Sequence, residues 1–174
     1  MKSLKTYISH MKDLHSLNEY LTEKLLINKN FKDNKIVVSS LRELKNIIQD
    51  RSTDPKTKKF NKNIDLSDID VSKLDDLSET FIWYKFKTIN ISGWDTLKVK
   101  NMTQMFYECD ELEDIIGIED INIDSVEHTD YMFAGCAKLD ITDKIKDWEI
   151  DPRVVWTINM FKDCPTKFKF KMKK

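Results

Sequence analysis

Apolar side chains recur at helical spacing through the first 27 residues of the chain. They form one stripe in which neighbours stand three or four residues apart, with polar and charged residues between them. This periodicity predicts an amphipathic helix over residues 1–27. Ser16 followed by Glu19 has the pattern of a capping box, which predicts that the helix breaks and restarts there. The stripe consists of Leu4, Tyr7, Ile8, Met11, Leu14, Leu17, Leu21 and Leu25.

A second, shorter helix is predicted after a polar turn at residues 28–35 and a short strand at KIVV, residues 35–38. Ser40 and Glu43 make another capping box, and the helix is predicted to end near Gln49. Its inward face consists of Leu41, Leu44, Ile47 and Ile48. The stretch that follows is charged and contains proline, which is typical of a mobile connector.

Beyond this connector, an apolar motif recurs along the chain. It reads VKNMTQMFYEC at residues 99–109, VEHTDYMFAGC at 126–136 and VVWTINMFKDC at 154–164, and a degenerate copy, DVSKLDDLSETF, stands at 70–81. Its phenylalanines, at positions 106, 133 and 161, follow one another at intervals of 27 and 28 residues. An internal period of this length indicates stacked units, because one unit cannot bury its own apolar face.

Strand-like stretches alternate with these motifs. IDLSDIDV, INISGWDT, EDINIDSV and WEI are rich in Ile, Val and Trp, whereas apolar residues at i, i+3, i+6 and i+7 of VKNMTQMF suit one or two helical turns. We therefore predict an α/β fold, a short leucine-rich-repeat-like solenoid of about four 25–28-residue repeats preceded by N-terminal amphipathic helices. The expected organisation is a helical segment over residues 1–50, a connector over 51–63, and the repeats with a C-terminal edge segment over 64–174.

The motif phenylalanines are expected to fill the centre of this stack, and the helices to cap its apolar end. The terminal KFKFKMKK is predicted as an edge strand whose lysines discourage edge pairing; the alternative is a small basic patch. The predicted core residues are Leu77, Phe81, Val99, Met102, Met105, Phe106, Cys109, Leu112, Val126, Met132, Phe133, Cys136, Leu139, Val154, Met160, Phe161 and Cys164.

Composition narrows the function classes. The net charge of −1 gives no global reason to expect nucleic acid or an acidic membrane as partner, and the 34% of charged residues suits a thin fold with much surface. No apolar run approaches the roughly 18 residues that span a bilayer, and the N-terminus lacks the apolar core of a signal peptide. We expect a protein of a reducing compartment, the cytoplasm.

The three cysteines recur at one point of the motif, which favours a column of small buried side chains. A metal site would need a local cluster, and a nucleophile would need a basic partner, yet no histidine recurs beside a cysteine. The acidic run YECDELED is interpreted as a solvated loop rather than a cation or acid–base site. We therefore expect no catalytic residue, no metal and no cofactor, and not an enzyme.

The motif resembles the BspA-like leucine-rich-repeat family, whose units read Trp-Asp-x-Ser-x-Val-x-x-Met-x-x-Met-Phe-x-x-Cys-x-x-Leu. One unit of this chain matches that pattern at Trp94, Asp95, Val99, Met102, Met105, Phe106, Cys109 and Leu112. The resemblance implies adhesion or protein binding and no shared enzymatic activity. The leader and short helix that precede the motifs resemble phage-encoded members, so the resemblance implies a phage protein in the host cytoplasm.

The sequence thus predicts a non-enzymatic protein–protein interaction module with an unknown protein partner. Interfaces favour Trp and Tyr, which makes Trp83, Tyr84, Trp148 and Trp156 candidate contact residues, while Trp94 is expected to pack within the fold. One alternative is a virion-associated or packaged internal protein, cut after Glu19 or Glu23 within Leu-x-Glu triplets. Another is a surface adhesin exported without a recognisable signal.

Overall fold

The computed structural model describes residues 31–32, 35–153 and 155–170. The helix predicted over residues 1–27 lies outside these ranges. The chain divides into two compact units, Met1–Ile36 and Val37–Lys174.

Regular elements are short, and turns connect them. The strands are β1 (Phe31–Lys32), β2 (Lys35–Val37), β3 (Asn63–Asp65), β4 (Ile69–Asp70), β5 (Thr88–Asn90) and β6 (Asp114–Ile116). The described residues contain one α-helix, α1 (Leu41–Arg51), and one 3₁₀ turn at Ile118–Asp120. In the first unit, β1 pairs antiparallel with the start of β2. The strand predicted at KIVV is therefore confirmed as β2.

Helix α1 begins where the capping box predicted it. The Glu43 amide donates to the Ser40 hydroxyl at 3.2 Å, and the Glu43 carboxylate accepts from the Ser39 amide at 2.9 Å. Leu44 and Ile48, one helical turn apart, are fully buried. The helix runs two residues past the predicted end, because the Arg51 side chain is held by the Asp68 carboxylate at 2.6 Å.

The connector is folded against its surroundings. The Asn61 amide donates to the Ser52 carbonyl at 2.8 Å, and the Phe60 ring stacks on Phe86 with centroids 5.1 Å apart. These contacts lead directly into β3, the first strand of a three-stranded parallel sheet with the order β3-β5-β6. In this sheet Ile64, Ile89 and Ile115 lie in register and are buried.

The predicted fold class is wrong. The described residues hold one α-helix and short strands in two small three-stranded sheets, not an α/β leucine-rich-repeat-like solenoid of about four strand-and-helix repeats. The motif segments form turns rather than helix because left-handed residues, such as Gln104 at φ 55° and Tyr131 at φ 56°, interrupt them. The edge strand predicted at KFKFKMKK, residues 167–174, is wrong for residues 167–170, which form no strand, and residues 171–174 lie outside the described ranges.

Candidate interaction surface

The four motif segments lie side by side in parallel. We call residues 76–84, 101–109, 128–136 and 156–164 the first, second, third and fourth segments. Their starting residues are paired in sequence order by parallel bridges, from Asp76 to Asn101, from Asn101 to His128 and from His128 to Trp156.

A ladder of backbone hydrogen bonds joins neighbouring segments. In the third segment, alternate amides donate to carbonyls of the fourth at 2.8–2.9 Å, and the donors are Thr129, Tyr131, Phe133 and Gly135. The first and second segments donate to their successors in the same way at 2.8–3.0 Å. The amides in between close turns inside the segment, as Tyr107 does on the Gln104 carbonyl. After its starting residue, whose amide donates back to the residue before the preceding segment, each interior segment therefore donates on one side and accepts on the other.

Left-handed residues make this one-sided arrangement possible. Each segment contains two of them, four positions apart, and they are Glu79 and Trp83, Gln104 and Glu108, Tyr131 and Gly135, and Asn159 and Asp163. In an ordinary strand successive amides point to opposite neighbours, so a strand donates on both sides. Here the intervening amides turn back into their own segment, and the left-handed residues allow that turn. The fourth segment uses Asn and Asp, the non-glycine residues that tolerate this conformation best.

The motif phenylalanines stack into an aromatic column. Ring centroids are 5.1 Å apart from Phe81 to Phe106, and 5.3 Å apart both from Phe106 to Phe133 and from Phe133 to Phe161. Phe168 adds a further ring, 5.4 Å from Phe161. The first three rings are fully buried, whereas Phe161 and Phe168 are half-buried. The column is thus closed at the first segment and open at the fourth.

The cysteines are sulfur donors as well as packing groups. The Cys109 thiol donates to the Phe81 carbonyl at 2.9 Å and the Cys136 thiol to the Phe106 carbonyl at 3.0 Å. Cys164 departs from this pattern and donates to Leu139 at 3.3 Å. Burial raises the pKa of Cys109 to about 12 and that of Cys136 further, so both remain neutral thiols at physiological pH. Among the described residues, no group of three or more His, Cys, Asp and Glu could hold a metal ion.

The residues predicted as core are placed as follows. Those that are buried are Leu77, Phe81, Val99, Met102, Met105, Phe106, Cys109, Leu112, Val126, Met132, Phe133, Cys136, Leu139 and Met160. Phe161 and Cys164 are half-buried, and Val154 lies outside the described residues.

The predicted contact residues separate into two groups. Trp83 and Trp156 are exposed, at 64% and 61%, whereas Trp148 is buried at 5%. Tyr84 is half-buried and its hydroxyl lies 3.0 Å from the Gln49 side-chain oxygen on α1. The two exposed tryptophans stand in different segments and at different positions of the segment, so the structure does not bring the four residues into one patch.

An apolar patch on the fourth segment combines the predicted contact residue Trp156 with Ile158, which the sequence did not single out. Trp156 and Ile158 are 61% and 53% exposed, whereas the third segment has His128 and Asp130 at these positions. The earlier segments are polar there too, with Asp76 and Ser78, then Asn101 and Thr103. Aligning the motifs position by position would have shown this change from polar to apolar.

The polar residues at these positions have a structural role that Trp156 cannot perform. The Asn101 side-chain oxygen accepts from the Thr103 amide at 3.0 Å, closing a local turn. In the fourth segment, the Ile158 amide donates instead to the Asp130 carboxylate of the third segment at 2.7 Å. The backbone amide is therefore satisfied while both apolar side chains remain exposed to solvent.

A cavity of about 890 Å³ opens beside this patch, at the end of the aromatic column. Its lining combines the fourth segment with the residues that follow it, and contains Thr142, Lys146, Thr157, Asn159, Met160, Phe161, Lys162, Thr166, Lys167, Phe168, Lys169 and Phe170. No sequence pattern predicts this cavity, because the pattern of the tail predicts a strand. We call Trp156, Ile158 and this cavity the terminal surface.

Comparison with known proteins identifies one family. The family model described as "Mycoplasma protein of unknown function, DUF285" matches residues 43–174. No curated protein and no solved structure matched the chain. Among the residues that the structure describes, no helix has both the length and the apolar character needed to cross a membrane.

Proposed function

The chain belongs to the DUF285 family, and from that premise we propose that it is a non-enzymatic protein–protein interaction module that binds its partner through the terminal surface. The region matched by the family contains all four segments, the cavity and α1 from Glu43 onward.

The observation that carries this proposal is the apolar character of Trp156 and Ile158 at positions where the other segments are polar. The Trp156 ring keeps one ring contact, with His128 at 5.8 Å between centroids, yet it stays 61% exposed beside an Ile that is 53% exposed. Tryptophan is enriched among the residues that contribute most to binding at protein interfaces. An apolar patch next to an open cavity is typical of an interaction site.

The buried thiols support a non-enzymatic role. Both are neutral hydrogen-bond donors to backbone carbonyls, and their raised pKa values oppose formation of the reactive thiolate.

The test is a pair of matched variants. Wild type, a Trp156→Ser/Ile158→Ser double variant and a Trp83→Ser control are tagged and used for affinity capture from lysate of the source cells. Trp83 is as exposed as Trp156 but stands on the first segment. We expect one set of proteins to be retained by wild type and the control and lost by the double variant, with unchanged circular dichroism and melting. The same set retained by all three proteins would contradict the proposal.

A closer relationship to the BspA-like repeat proteins remains part of the proposal, as do a phage origin and action in the host cytoplasm. These rest on the resemblance of the motif and of the residues before it. Mass spectrometry of purified virions would test the proposed action in the host cytoplasm, since a protein acting there should be absent from the particle. Its presence there would favour the virion-associated alternative.

A further inference from the structure

The fourth segment has a row of backbone amides whose equivalents in the other segments donate to the next segment. By position in the segment, Thr157, Asn159, Phe161 and Asp163 correspond to Thr129, Tyr131, Phe133 and Gly135 of the third segment. The four amides of the third segment donate to the fourth segment at 2.8–2.9 Å. The four corresponding amides of the fourth segment have no hydrogen-bond partner among the described residues. A chain that lay beside the fourth segment, as the fourth lies beside the third, could accept from these amides and extend the ladder by one step.

The cavity beside this donor row is apolar at its centre. Phe161 and Phe168 are half-buried, and Phe170 is 41% exposed. Phe168 already continues the column above Phe161 at 5.4 Å, and Phe170 lies edge-on to Phe168 at 5.2 Å, so an incoming apolar side chain would pack against these two rings.

The rim of the cavity is positively charged. Lys146, Lys162, Lys167 and Lys169 line it, and no acidic residue stands among the described residues of its lining. All four lysines are exposed, so their charges face an incoming molecule. This charge favours an acidic partner, by steering its approach and rejecting basic competitors.

Taken together, these features lead us to propose that the terminal surface binds an acidic segment of a partner protein, whose backbone carbonyls accept from Thr157, Asn159, Phe161 and Asp163. An aromatic or long aliphatic side chain of that segment enters the cavity. Binding of this kind adds a peptide to an open edge, so that main-chain hydrogen bonds give affinity and side chains give specificity. The inference rests on the proposed function and names the partner chemistry of the same surface.

A second copy of the chain does not fit this surface by two-fold symmetry. A two-fold interface places the same patch on both subunits, so donors would face donors and lysines would face lysines. Head-to-tail contact would instead need the carbonyl side of the first segment. Helix α1 already contacts the first segment, with the Lys45 ammonium 4.0 Å from the Glu79 carboxylate and the Gln49 side chain 3.0 Å from the Tyr84 hydroxyl.

The experiment uses the full chain and two synthetic peptides. Both contain WTINMFKD, the sequence of residues 156–163, because this sequence already accepts the ladder bonds of the third segment. One peptide carries three Asp residues at each end and the other three Lys residues. Amide hydrogen exchange is followed by NMR, with Thr129, Tyr131, Phe133 and Gly135 as internal references.

We expect the four amides of the fourth segment to exchange at least about tenfold faster than the references in the free chain, and to slow about tenfold with the acidic peptide. The Lys-flanked peptide should bind about tenfold more weakly. The Lys167→Glu/Lys169→Glu variant should reverse this preference, and the exposed Lys98→Glu control should not.

Three results would overturn the inference: no binding of the acidic peptide, equal binding of the two peptides, or acidic-peptide binding without protection of the four amides. Sedimentation equilibrium adds a fourth, since a dimer that protects these amides would assign the surface to self-association. The proposed function is judged separately by the capture experiment. Proteins lost on Trp156→Ser/Ile158→Ser would leave it standing even if the peptides fail.

Discussion

Two buried tryptophans differ in whether the indole nitrogen is satisfied. Trp94 and Trp148 are 4% and 5% exposed, but the Trp94 Nε1 donates to the Leu66 carbonyl at 3.0 Å, whereas the Trp148 Nε1 has no partner in the part of the chain that the structure describes. Replacement by Phe removes a hydrogen bond at Trp94 and an unsatisfied donor at Trp148. We expect Trp94→Phe to lower the free energy of unfolding by about 2 kcal/mol more than Trp148→Phe. The first change loses a hydrogen bond, which destabilises the fold, whereas the second removes a buried donor without a partner, which stabilises it. Urea denaturation measures both, and equal losses of unfolding free energy would contradict the argument.

The buried thiols should make the fold sensitive to alkali. Burial raises the pKa of Cys109 to about 12, whereas a thiol in the unfolded chain titrates near 8.5. Below pH 8.5 both states carry the neutral thiol; between the two values only the unfolded state loses its proton, so stability falls as pH rises. The slope approaches about 1.4 kcal/mol per pH unit for each such thiol.

The Cys109→Ser variant isolates this effect, because a serine hydroxyl can donate to the Phe81 carbonyl but does not titrate in this range. Unfolding free energies are measured in urea between pH 7 and pH 10.5 with a reductant present. We expect the variant to lose stability with pH less steeply than wild type, by up to about 1.4 kcal/mol per unit. Parallel curves would show that Cys109 ionises readily in the folded chain.

At this scale the sequence predicted which motif residues are buried but not all of what they do. A period of 27 and 28 residues places Phe106, Phe133 and Phe161 in equivalent positions, and equivalence is enough to infer stacking. The acceptor of the Cys109 thiol belongs to another segment, and composition cannot reveal it. The exposure of Trp83 and the burial of Trp148 depend likewise on neighbours distant in sequence.

At the scale of the element, the sequence did not predict the backbone conformation of the motif segments. Apolar residues at i, i+3, i+6 and i+7 fit a helix, and they also fit a chain that turns through a left-handed residue every four positions. Gln104 and Glu108 adopt the left-handed conformation, but neither is a glycine, so their residue types do not predict it. Neighbouring segments supply the hydrogen bonds that maintain it, so tertiary contacts decide the local structure.

Gly135 tests how tightly these left-handed positions are packed. It has φ 78°, and a methyl group there would lie 2.8 Å from Cδ and 3.1 Å from Cα of Glu108. We expect Gly135→Ala to destabilise the fold by about 1–3 kcal/mol, through backbone strain and this contact. Glu108→Gly removes the side chain that is approached, and its own φ of 56° suits glycine.

A double-mutant cycle separates the two causes. If the contact matters, Gly135→Ala should cost less in the Glu108→Gly background than in wild type, by at least about 0.5 kcal/mol. Thermal or urea unfolding of the four proteins gives the coupling. Additive losses would leave backbone strain as the sole cause.

At the scale of the whole molecule, the two ends of the ladder differ, because in the described part of the chain the first segment has unused carbonyls and contacts α1, whereas the fourth segment has an open row of amides. Carbonyls of the first segment, at Asp76, Ser78, Thr80 and Ile82, accept no backbone amide among the described residues. Phe81 is nonetheless fully buried, and side chains of α1 contact the first segment at Glu79 and Tyr84. The helical cap that the sequence predicts for an exposed end of a stack stays a prediction, and α1 contacts the first segment through side chains. The sequence did not predict the open donor row at the fourth segment.

A chain whose acceptor side is uncovered should associate head to tail. Replacing the buried Leu44 and Ile48 of α1 by Asp would detach the helix and free the carbonyls of the first segment. The donors of the fourth segment in another molecule are complementary to them, and a contact of this kind that does not close generates open chains. We expect the Leu44→Asp/Ile48→Asp variant to show a mass that rises with concentration in sedimentation velocity, while the exposed Arg42→Asp control stays unchanged.

Assembly through the ladder must be distinguished from aggregation of unfolded chains. Ladder assembly should reverse on dilution and keep the circular dichroism of wild type. The acidic peptide should also suppress it, because that peptide competes for Thr157, Asn159, Phe161 and Asp163. A variant that remains at constant mass and melts cooperatively would show that α1 is not needed to block the first segment. The four carbonyls would then have to be shielded by other residues, and head-to-tail contact would be excluded for a different reason.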